Sequence, residues 1–314
     1  MARWREAALP LLLFALLGAA PWIGFGEGYV LTLLARAMIL GIAALGLHLL
    51  VGGAGLVSLG HAALLGLGAY AVVALDAARI TEALWVAPAA IGGGALFALL
   101  TGAVAVRTSG VQFIMITLAF AQMAFFTAGS LSVYGGDDGY TLYGRTEILG
   151  RRWLEDRLVF HYLCLGLLAA SWGLVVAILA SRFGRVLRAA RENALRVAAL
   201  GFNPAPYRLL AYVIAGGMAG LAGALLANAT EFVAPSYLAW QRSGDLLFMV
   251  ILGGLGAPHG AVLGALAIVL LEEWLGHWTA HWRLIFGPLL ILSVLFLKGG
   301  LAGLPAQLRG AGRG

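Results

Sequence analysis

The sequence predicts an all-α integral membrane protein, a single polytopic bundle of about eight to ten transmembrane segments that fills residues 1–314. Hydrophobic residues make up 62% of the chain and charged residues only 11%, whereas soluble domains carry about 25% charged residues. The apolar residues come in runs of about 20, the length that crosses the hydrocarbon core as a helix. The regular polar and apolar alternation of membrane β-barrel strands is missing from the sequence.

Seven clear spans are predicted first, and three shorter ones follow. The clear spans are Ala8–Phe25, Tyr29–Val51, Leu56–Leu75, Leu84–Val106, Val111–Val133, Leu158–Ala180 and Leu209–Thr230. The shorter ones are Asp245–Leu255, Ala261–Leu275 and Leu284–Leu297. The first span follows a basic start, as in a signal peptide, but a polytopic membrane protein needs no cleaved signal because its first helix serves the same purpose.

The arginines predict the orientation, because Lys and Arg near the ends of spans favour the cytoplasm. With the N-terminus inside and ten crossings, one face collects most of the basic residues. These are Arg3, Arg5, Arg107, Arg182, Arg185, Arg188, Arg191, Arg196, Arg208, Lys298, Arg309 and Arg313. The opposite face collects most of the acids. We therefore expect a multi-pass protein with both termini in the cytoplasm and with the loop at about residues 134–157 outside.

The cytoplasmic segment at about residues 182–207 is a basic helix and turn between two apolar spans. Its other faces carry the small residues Ala189, Ala190, Ala194, Ala198, Ala199 and Gly201. We expect one helix that ends at Gly201 and no further helix before Tyr207, because Pro204 and Pro206 intervene. A face of small residues suits docking into a groove on another protein. The alternative is an anchor that only sets the orientation.

A glycine-rich run on the way to the third span is the candidate substrate path. It contains Gly52, Gly53, Gly55, Ser58, Gly60 and His61. Dense glycine either allows close helix packing or lets a helix unwind and present its backbone to a zwitterion, and both interpretations stay open. Gln112 and Thr117 on the fifth span are further candidates, with interhelical hydrogen bonds as the alternative. We expect Arg36, within the second span, to reach the external interface.

Four stretches, in order along the chain, carry a family resemblance. They are residues 50–73 with VSLGH and then GAY, residues 134–144 (YGGDDGYTLYG), the segment RENALRVAALGFNPAPYRLL from Arg191 onward, and residues 250–266 (VILGGLGAPHGAVLGAL). Together they resemble the M-type permeases of branched-chain amino acid (Liv-type) ABC importers. The third stretch resembles the cytoplasmic coupling segment of that family.

The resemblance implies an ABC importer permease that moves leucine, isoleucine or valine across the bacterial inner membrane. Its implied partners are two cytoplasmic ABC ATPases, a homologous second permease and a periplasmic or lipid-anchored solute-binding protein. The residues implied in ATPase coupling are Arg185, Arg188, Arg191, Glu192, Asn193, Ala198 and Gly201. Near relatives of the family carry urea and short amides, which stay alternative cargoes.

The residues themselves limit the other function classes. The phosphate-binding loop GxxxxGK[ST] is missing, since the single lysine is Lys298, so we expect ATP and magnesium to bind on partner chains. Six scattered histidines and one cysteine, Cys164, predict neither a metal site nor an enzyme. We expect the acids at span ends, which argues against an ion-coupled carrier, and a passive channel would leave the coupling segment unexplained. The basic charge is assigned to membrane orientation, not to nucleic acid.

Overall fold

The computed structural model describes residues 2–22, 28–278, 281, 284–288, 291–292 and 299–304. The helices are α1 (Ala2–Ala19), α2 (Gly28–His48), α3 (His61–Ala77), α4 (Ala83–Ala105), α5 (Val111–Ser130), α6 (Arg157–Ala180), α7 (Arg182–Glu192), α8 (Ala194–Ala199), α9 (Pro204–Thr230), α10 (Trp240–Gly253) and α11 (Pro258–Trp278). The strands β1 (Tyr140–Thr141) and β2 (Phe232–Val233) pair antiparallel.

Six of the helices in the described ranges are long and apolar enough to cross a membrane, namely α2 with its continuation to Ala54, α4, α5, α6, α9 and α11. Shorter apolar helices are Leu9–Trp22 and α3. This architecture confirms the predicted all-α polytopic fold. Half of the predicted last span, Leu284–Leu297, lies outside the described residues, as do Lys298, Arg309, Arg313 and the side chains of Arg3 and Arg5.

Helices α2 and α9 form the centre of the bundle. The α2 side chains are buried from Ala37 to His48, and those of α9 are almost continuously buried from Ala215 to Asn228. Helices α6, α10 and α11 pack around α2, while α3 and α4 pack along α9. Helices α4 and α5 expose apolar side chains such as Leu100 and Met123, so lipid or another membrane chain must cover these faces.

Small residues let α9 approach α3 and α4 closely. A Cβ atom at Gly68 of α3 would overlap the carbonyl oxygen of Gly220 on α9. A Cβ atom at Gly94 of α4 would overlap the carbonyl oxygen of Gly216. This close backbone packing is common between membrane helices, where van der Waals contact replaces the hydrophobic effect as the main attraction. It fixes α3 and α4 against the centre of the bundle.

Two helices, α3 and α10, begin at mid-depth in the bundle. Their 17 and 14 residues extend about 26 and 21 Å, less than the hydrocarbon thickness of about 30 Å. His61 opens α3, and its Nε2 lies 3.1 Å from the carbonyl oxygen of Ala43, near the middle of α2. The Ser243 hydroxyl in the first turns of α10 accepts a hydrogen bond of 2.8 Å from the Ala62 amide. The predicted full span from Leu56 is therefore a shorter helix, which begins five residues later at His61.

The chain places most of its acids on one face of the bundle and a group of arginines on the other. The basic face carries α7, α8, the end of α4 and the start of α9. Its basic residues are Arg107, Arg182, Arg185, Arg188, Arg191, Arg196 and Arg208. The loop face carries residues 131–156 and the β1–β2 pair. Its acids include Asp76, Glu82, Asp137, Asp138, Glu147, Glu155, Asp156 and Glu231.

The predicted coupling helix is two helices. Helix α7 ends at Glu192, because Asn193 adopts an extended conformation with φ −156° and ψ 97°. The Asn193 side chain then accepts a hydrogen bond of 2.9 Å from the Arg196 amide and so caps the start of α8. The change of direction at Asn193 gives the segment 182–207 a bent shape.

The predicted absence of helix before Tyr207 is wrong. Helix α9 begins at Pro204, and the Asn203 side chain accepts a hydrogen bond of 3.1 Å from the Ala205 amide. Proline is tolerated in the first turn because its missing N–H would have no partner within the helix there. Both prolines therefore start the helix instead of delaying it.

Candidate functional site

The best-defined candidate site lies at the basic face, where α2 breaks. The helix continues past His48 as a turn of π-helix from Leu49 to Ala54. Gly55 ends this turn with φ +70°, a left-handed conformation that favours glycine. The chain returns to mid-depth through the non-helical residues 56–60 and enters α3. Single π-turns within helices occur frequently at functional sites.

Helix α7 docks on this break. The Arg191 guanidinium donates a hydrogen bond to the carbonyl oxygen of Gly52. A Cβ atom at Gly55 would come within 2.7 Å of the Arg191 Cγ, and one at Gly53 would lie 3.3 Å from Leu187 of α7. Three of the glycines predicted on the substrate path therefore pack against the predicted coupling segment. The structure joins two sites that the sequence presented as separate.

The other side of α7 and α8 is exposed. The predicted coupling residues Arg185, Arg188, Arg191, Glu192, Asn193, Ala198 and Gly201 are all exposed at least in part. Ala190, which we expected on the docking face, is instead buried, and its carbonyl oxygen accepts a hydrogen bond of 3.2 Å from Arg208.

Large apolar side chains, which the sequence argument missed, project from the same surface. Leu195 is 84% exposed, Leu200 is 73% exposed and Phe202 is 47% exposed. We call these three residues the apolar patch. Because the patch is exposed beside arginines outside the predicted spans, we interpret it as an interaction surface.

The remaining residues of the predicted substrate path pack at mid-depth. Ser58 and His61 are fully buried, and the Ser58 hydroxyl accepts a hydrogen bond of 3.2 Å from the Gly60 amide. Thr117 is 1% exposed and packs against Gly60, while Gln112 is exposed at the basic-face end of α5. The structure thus shows packing contacts for all the predicted path residues except Gln112. A role of these residues in substrate passage stays a prediction.

A charged cavity lies between α2, α10 and α11, in the half of the bundle toward the loop face. Its volume is about 380 Å³. Charged side chains line it from Arg36, Arg242, Asp245 and Glu272, and apolar ones from Leu40, Met249 and Ile268. Arg36 and Glu272 form an ion pair with a nitrogen–oxygen distance of 3.3 Å, and their side chains keep 38% and 32% exposure.

This charged cavity contradicts the expectation that acids fall at the ends of spans. The sequence argument began the span at Asp245, but α10 begins at Trp240 and places Asp245 inside the helix. Glu272 likewise lies six residues before the end of α11. Arg36, which we expected at the external interface, is the eighth residue after Gly28, about 12 Å into the bundle. Hydropathy alone does not reveal that these residues meet.

The loop face is an ordered platform built by polar contacts. Arg145 pairs with Glu231 at 2.8 Å, next to the β1–β2 pair. The Tyr143 amide donates a hydrogen bond of 3.3 Å to the carboxylate of Asp76 at the end of α3. Desolvation raises the pKa of the Tyr140 phenol above its ordinary value, and the neighbouring Asp76 carboxylate raises it further, so Tyr140 stays a neutral donor at physiological pH.

Comparison with known proteins places the chain among membrane transport components. Residues 29–295 match the family model for the branched-chain amino acid transport system / permease component. The chain is 26% identical over 287 residues to the high-affinity branched-chain amino acid transport system permease protein LivM of Escherichia coli (strain K12), covering 84% of this chain and 68% of that protein.

Similarity to a second kind of permease protein covers a shorter part of the chain. LivH of the same Escherichia coli strain is 30% identical over 138 residues, which is 43% of this chain and 44% of that protein. The probable branched-chain amino acid transport permease protein LivH of Methanocaldococcus jannaschii is 28% identical over 132 residues, or 39% of this chain and 40% of that protein. No solved structure matches the chain significantly.

Proposed function

This chain belongs to the family of branched-chain amino acid transport system permease components, and on that premise we propose that it is the M-type permease subunit of an ATP-driven importer of leucine, isoleucine or valine. The similarity to LivM over 84% of the chain supports the choice of subunit. Because the sequence lacks the phosphate-binding loop, we assign the binding of ATP and magnesium to partner chains.

The observation that carries the proposal is the two-sided arrangement of α7 and α8. One side contacts the break in α2 through Arg191 and Leu187. The other side exposes the apolar patch and several arginine side chains to water. A surface of this kind suits a groove on a soluble protein, with apolar anchors at the centre and charges around them. We assign that partner as the ABC ATPase.

The route from α7 into the bundle is short. Movement of α7 would pull on the carbonyl of Gly52 through Arg191 and shift the non-helical residues 56–60. These residues lead directly to His61 and the mid-depth start of α3, next to Thr117 of α5. Closure of two ATPases on ATP would therefore change the position of a helix end in the middle of the membrane. Interrupted helices commonly surround the substrate path of transporters.

The exposed faces of the bundle accommodate the other expected partners. The apolar face of α5, with Met115, Met123 and Phe126 exposed, fits a homologous second permease or lipid. The loop face fits a solute-binding protein that delivers the cargo. We assign the basic face and both termini to the cytoplasm of a bacterial inner membrane. The placement of Gly300 against Gly254 at the basic face supports the assignment of the C-terminus.

An uptake experiment tests the proposal as a whole. The chain, a second permease, the ATPases and the binding protein are reconstituted in proteoliposomes and offered labelled leucine and labelled urea. We expect leucine uptake that requires ATP. Urea uptake would retain the ATP-driven class and overturn the cargo. Leucine uptake by the chain alone without ATP would overturn the class, in favour of an ion-coupled carrier or a passive channel.

A second experiment tests the docking surface. Leu200→Asp places a charge within the apolar patch, and we expect it to weaken ATPase binding about tenfold or more, as for central interface residues. Leu149→Asp is the matched control, because Leu149 is 89% exposed on the loop face. Co-purification and titration of the ATPase measure both variants. Equal binding by the two variants would remove the apolar patch from the interface.

A further inference from the structure

The charged cavity at the loop-face half of α10 carries a function that the family assignment does not supply. Its four charged side chains, Arg36, Arg242, Asp245 and Glu272, comprise two cations and two anions. Ionisable groups at membrane depth are costly to keep and usually mark a substrate or ion pathway. Four of them around one cavity therefore need an explanation other than packing.

The depth of the cavity follows from the start of α10. Ser243 is joined to Ala62 at the mid-depth start of α3, and Asp245 is two residues further along the same helix. Arg242 and Asp245 are three residues apart, a spacing that places both side chains on neighbouring positions of one helical face. Charges of opposite sign therefore stand next to each other at about the middle of the membrane.

The wall of the cavity formed by α2 and α11 carries an ion pair of its own. Arg36 and Glu272 pair at 3.3 Å, and roughly a third of each side chain stays accessible from the cavity. The Arg242 guanidinium lies over the Tyr237 ring, 5.0 Å from its centroid, and this cation–π contact helps to orient the guanidinium. Leu40, Met249 and Ile268 add apolar lining, and each lies four residues along its helix from one of the charged residues. The cavity thus offers both charged and apolar lining residues.

We propose that this cavity binds the cargo in transit as a zwitterionic α-amino acid with an aliphatic side chain. The carboxylate is held by Arg242, the ammonium group by Asp245, and the aliphatic side chain lies on Leu40, Met249 and Ile268. A volume of about 380 Å³ falls within the usual range for small-molecule sites. Urea is neutral and has no aliphatic group, so it matches neither the charged nor the apolar lining residues. This inference rests on the proposed function and deepens it.

Substitution of the anion is the first test. In the full reconstituted transporter, Asp245→Asn should raise the KM for leucine uptake about tenfold or more, since it removes a charge-assisted hydrogen bond. Asp245→Glu should retain most of the uptake. ATPase binding at the basic face should be the same in both variants. Unchanged KM in Asp245→Asn would overturn the site, whereas no ATP-dependent leucine uptake by the unmodified transporter would overturn the proposed function instead.

Cysteine labelling tests occupancy even where a charge variant fails to assemble. The chain has one cysteine, Cys164, which is fully buried, so Gln241→Cys at the cavity can be labelled selectively and read on this chain. We expect saturating leucine to slow this labelling about tenfold and urea to leave it unchanged. Phe248→Cys, on the same helix at a position 42% exposed, should show no protection. Equal labelling with and without leucine overturns the site, and protection by bilayer lipid alone would assign it to a lipid headgroup.

Discussion

In the part of the chain that the structure describes, two interruptions of the membrane helices stand out, and they are built differently. The first, residues 49–60, consists of a π-turn and a non-helical return rich in glycine, and it contacts α7. The second, residues 231–239, returns from the loop face to the start of α10 through the turn Pro235–Leu238, and it borders the charged cavity. Both end at mid-depth in the bundle. There the Ala62 amide, in the first turn of α3, donates a hydrogen bond to the Ser243 hydroxyl of α10.

The difference between the two interruptions indicates a division of tasks. Backbone groups inside a bilayer must find partners, because water is absent there. At the first interruption an arginine from the basic face binds a backbone carbonyl, so the break depends on the position of α7. After the second, the first turns of α10 carry Arg242 and Asp245, which line the charged cavity. We infer that the first interruption transmits motion and the second contacts the cargo.

The largest effect is expected from a side chain added at the first interruption. Gly55→Leu must adopt φ +70° and must also occupy space within 2.7 Å of the Arg191 Cγ. Backbone strain of about 1–3 kcal/mol and overpacking of about 1–3 kcal/mol should push α7 off the break. We expect ATP-dependent uptake to fall at least about thirtyfold while the bundle still inserts.

Gly166→Leu is the control for that variant. Gly166 lies in α6, its position is exposed, and a Cβ atom there meets nothing within 4 Å. The Gly166→Leu variant should transport normally. If Gly55→Leu instead loses the second permease from the complex, Gly55 serves assembly, and the claim that the first interruption transmits motion is wrong.

A smaller effect is expected when the arginine contact alone is removed. Arg191→Ala deletes a charge-assisted hydrogen bond to the Gly52 carbonyl, a contact worth about 1.5–3 kcal/mol. We expect uptake to fall about tenfold while ATP hydrolysis continues, so that fewer molecules move per ATP. Arg107→Ala removes a charge from the same face away from α7 and should leave this ratio unchanged. A proportional fall of hydrolysis and uptake would indicate lost docking and not lost transmission.

The sequence predicted the spans well where hydropathy changes sharply. The predicted start at Val111 and the ends at Ala180 and Thr230 coincide with the ends of helices. Hydropathy could not reveal that α3 begins only at His61, because residues 56–60 are as apolar as the helix that follows. Depth in the membrane depends on contacts such as that between His61 and Ala43, which join different parts of the chain.

The candidate site was only partly predictable for a related reason. The basic segment and the glycine run were both recognisable, but their contact joins residues 139 positions apart. The charged cavity joins Arg36 to Glu272, which are 236 positions apart. By contrast, the apolar patch had a signal in the sequence. Leu195 and Leu200 stand in a basic segment outside the spans, where large apolar side chains have no lipid to face.

The smallest effect is expected when the hydrogen bond between Ala62 and Ser243 is removed. This change tests whether the two interruptions act together. The residue that precedes α3, Gly60, has no side chain to cap the helix, so the Ser243 hydroxyl supplies the acceptor for the Ala62 amide at 2.8 Å. Ser243→Ala leaves that buried amide unpaired at a cost of about 1–3 kcal/mol. We expect the thermal midpoint of the purified complex to fall by a few degrees and uptake to fall by about threefold or less. Ser130→Ala, where an exposed hydroxyl bonds within its own helix, should change neither quantity. A thermal midpoint that stays the same in Ser243→Ala would mean that α3 and α10 hold their positions independently, and that motion at α7 reaches the charged cavity by another route.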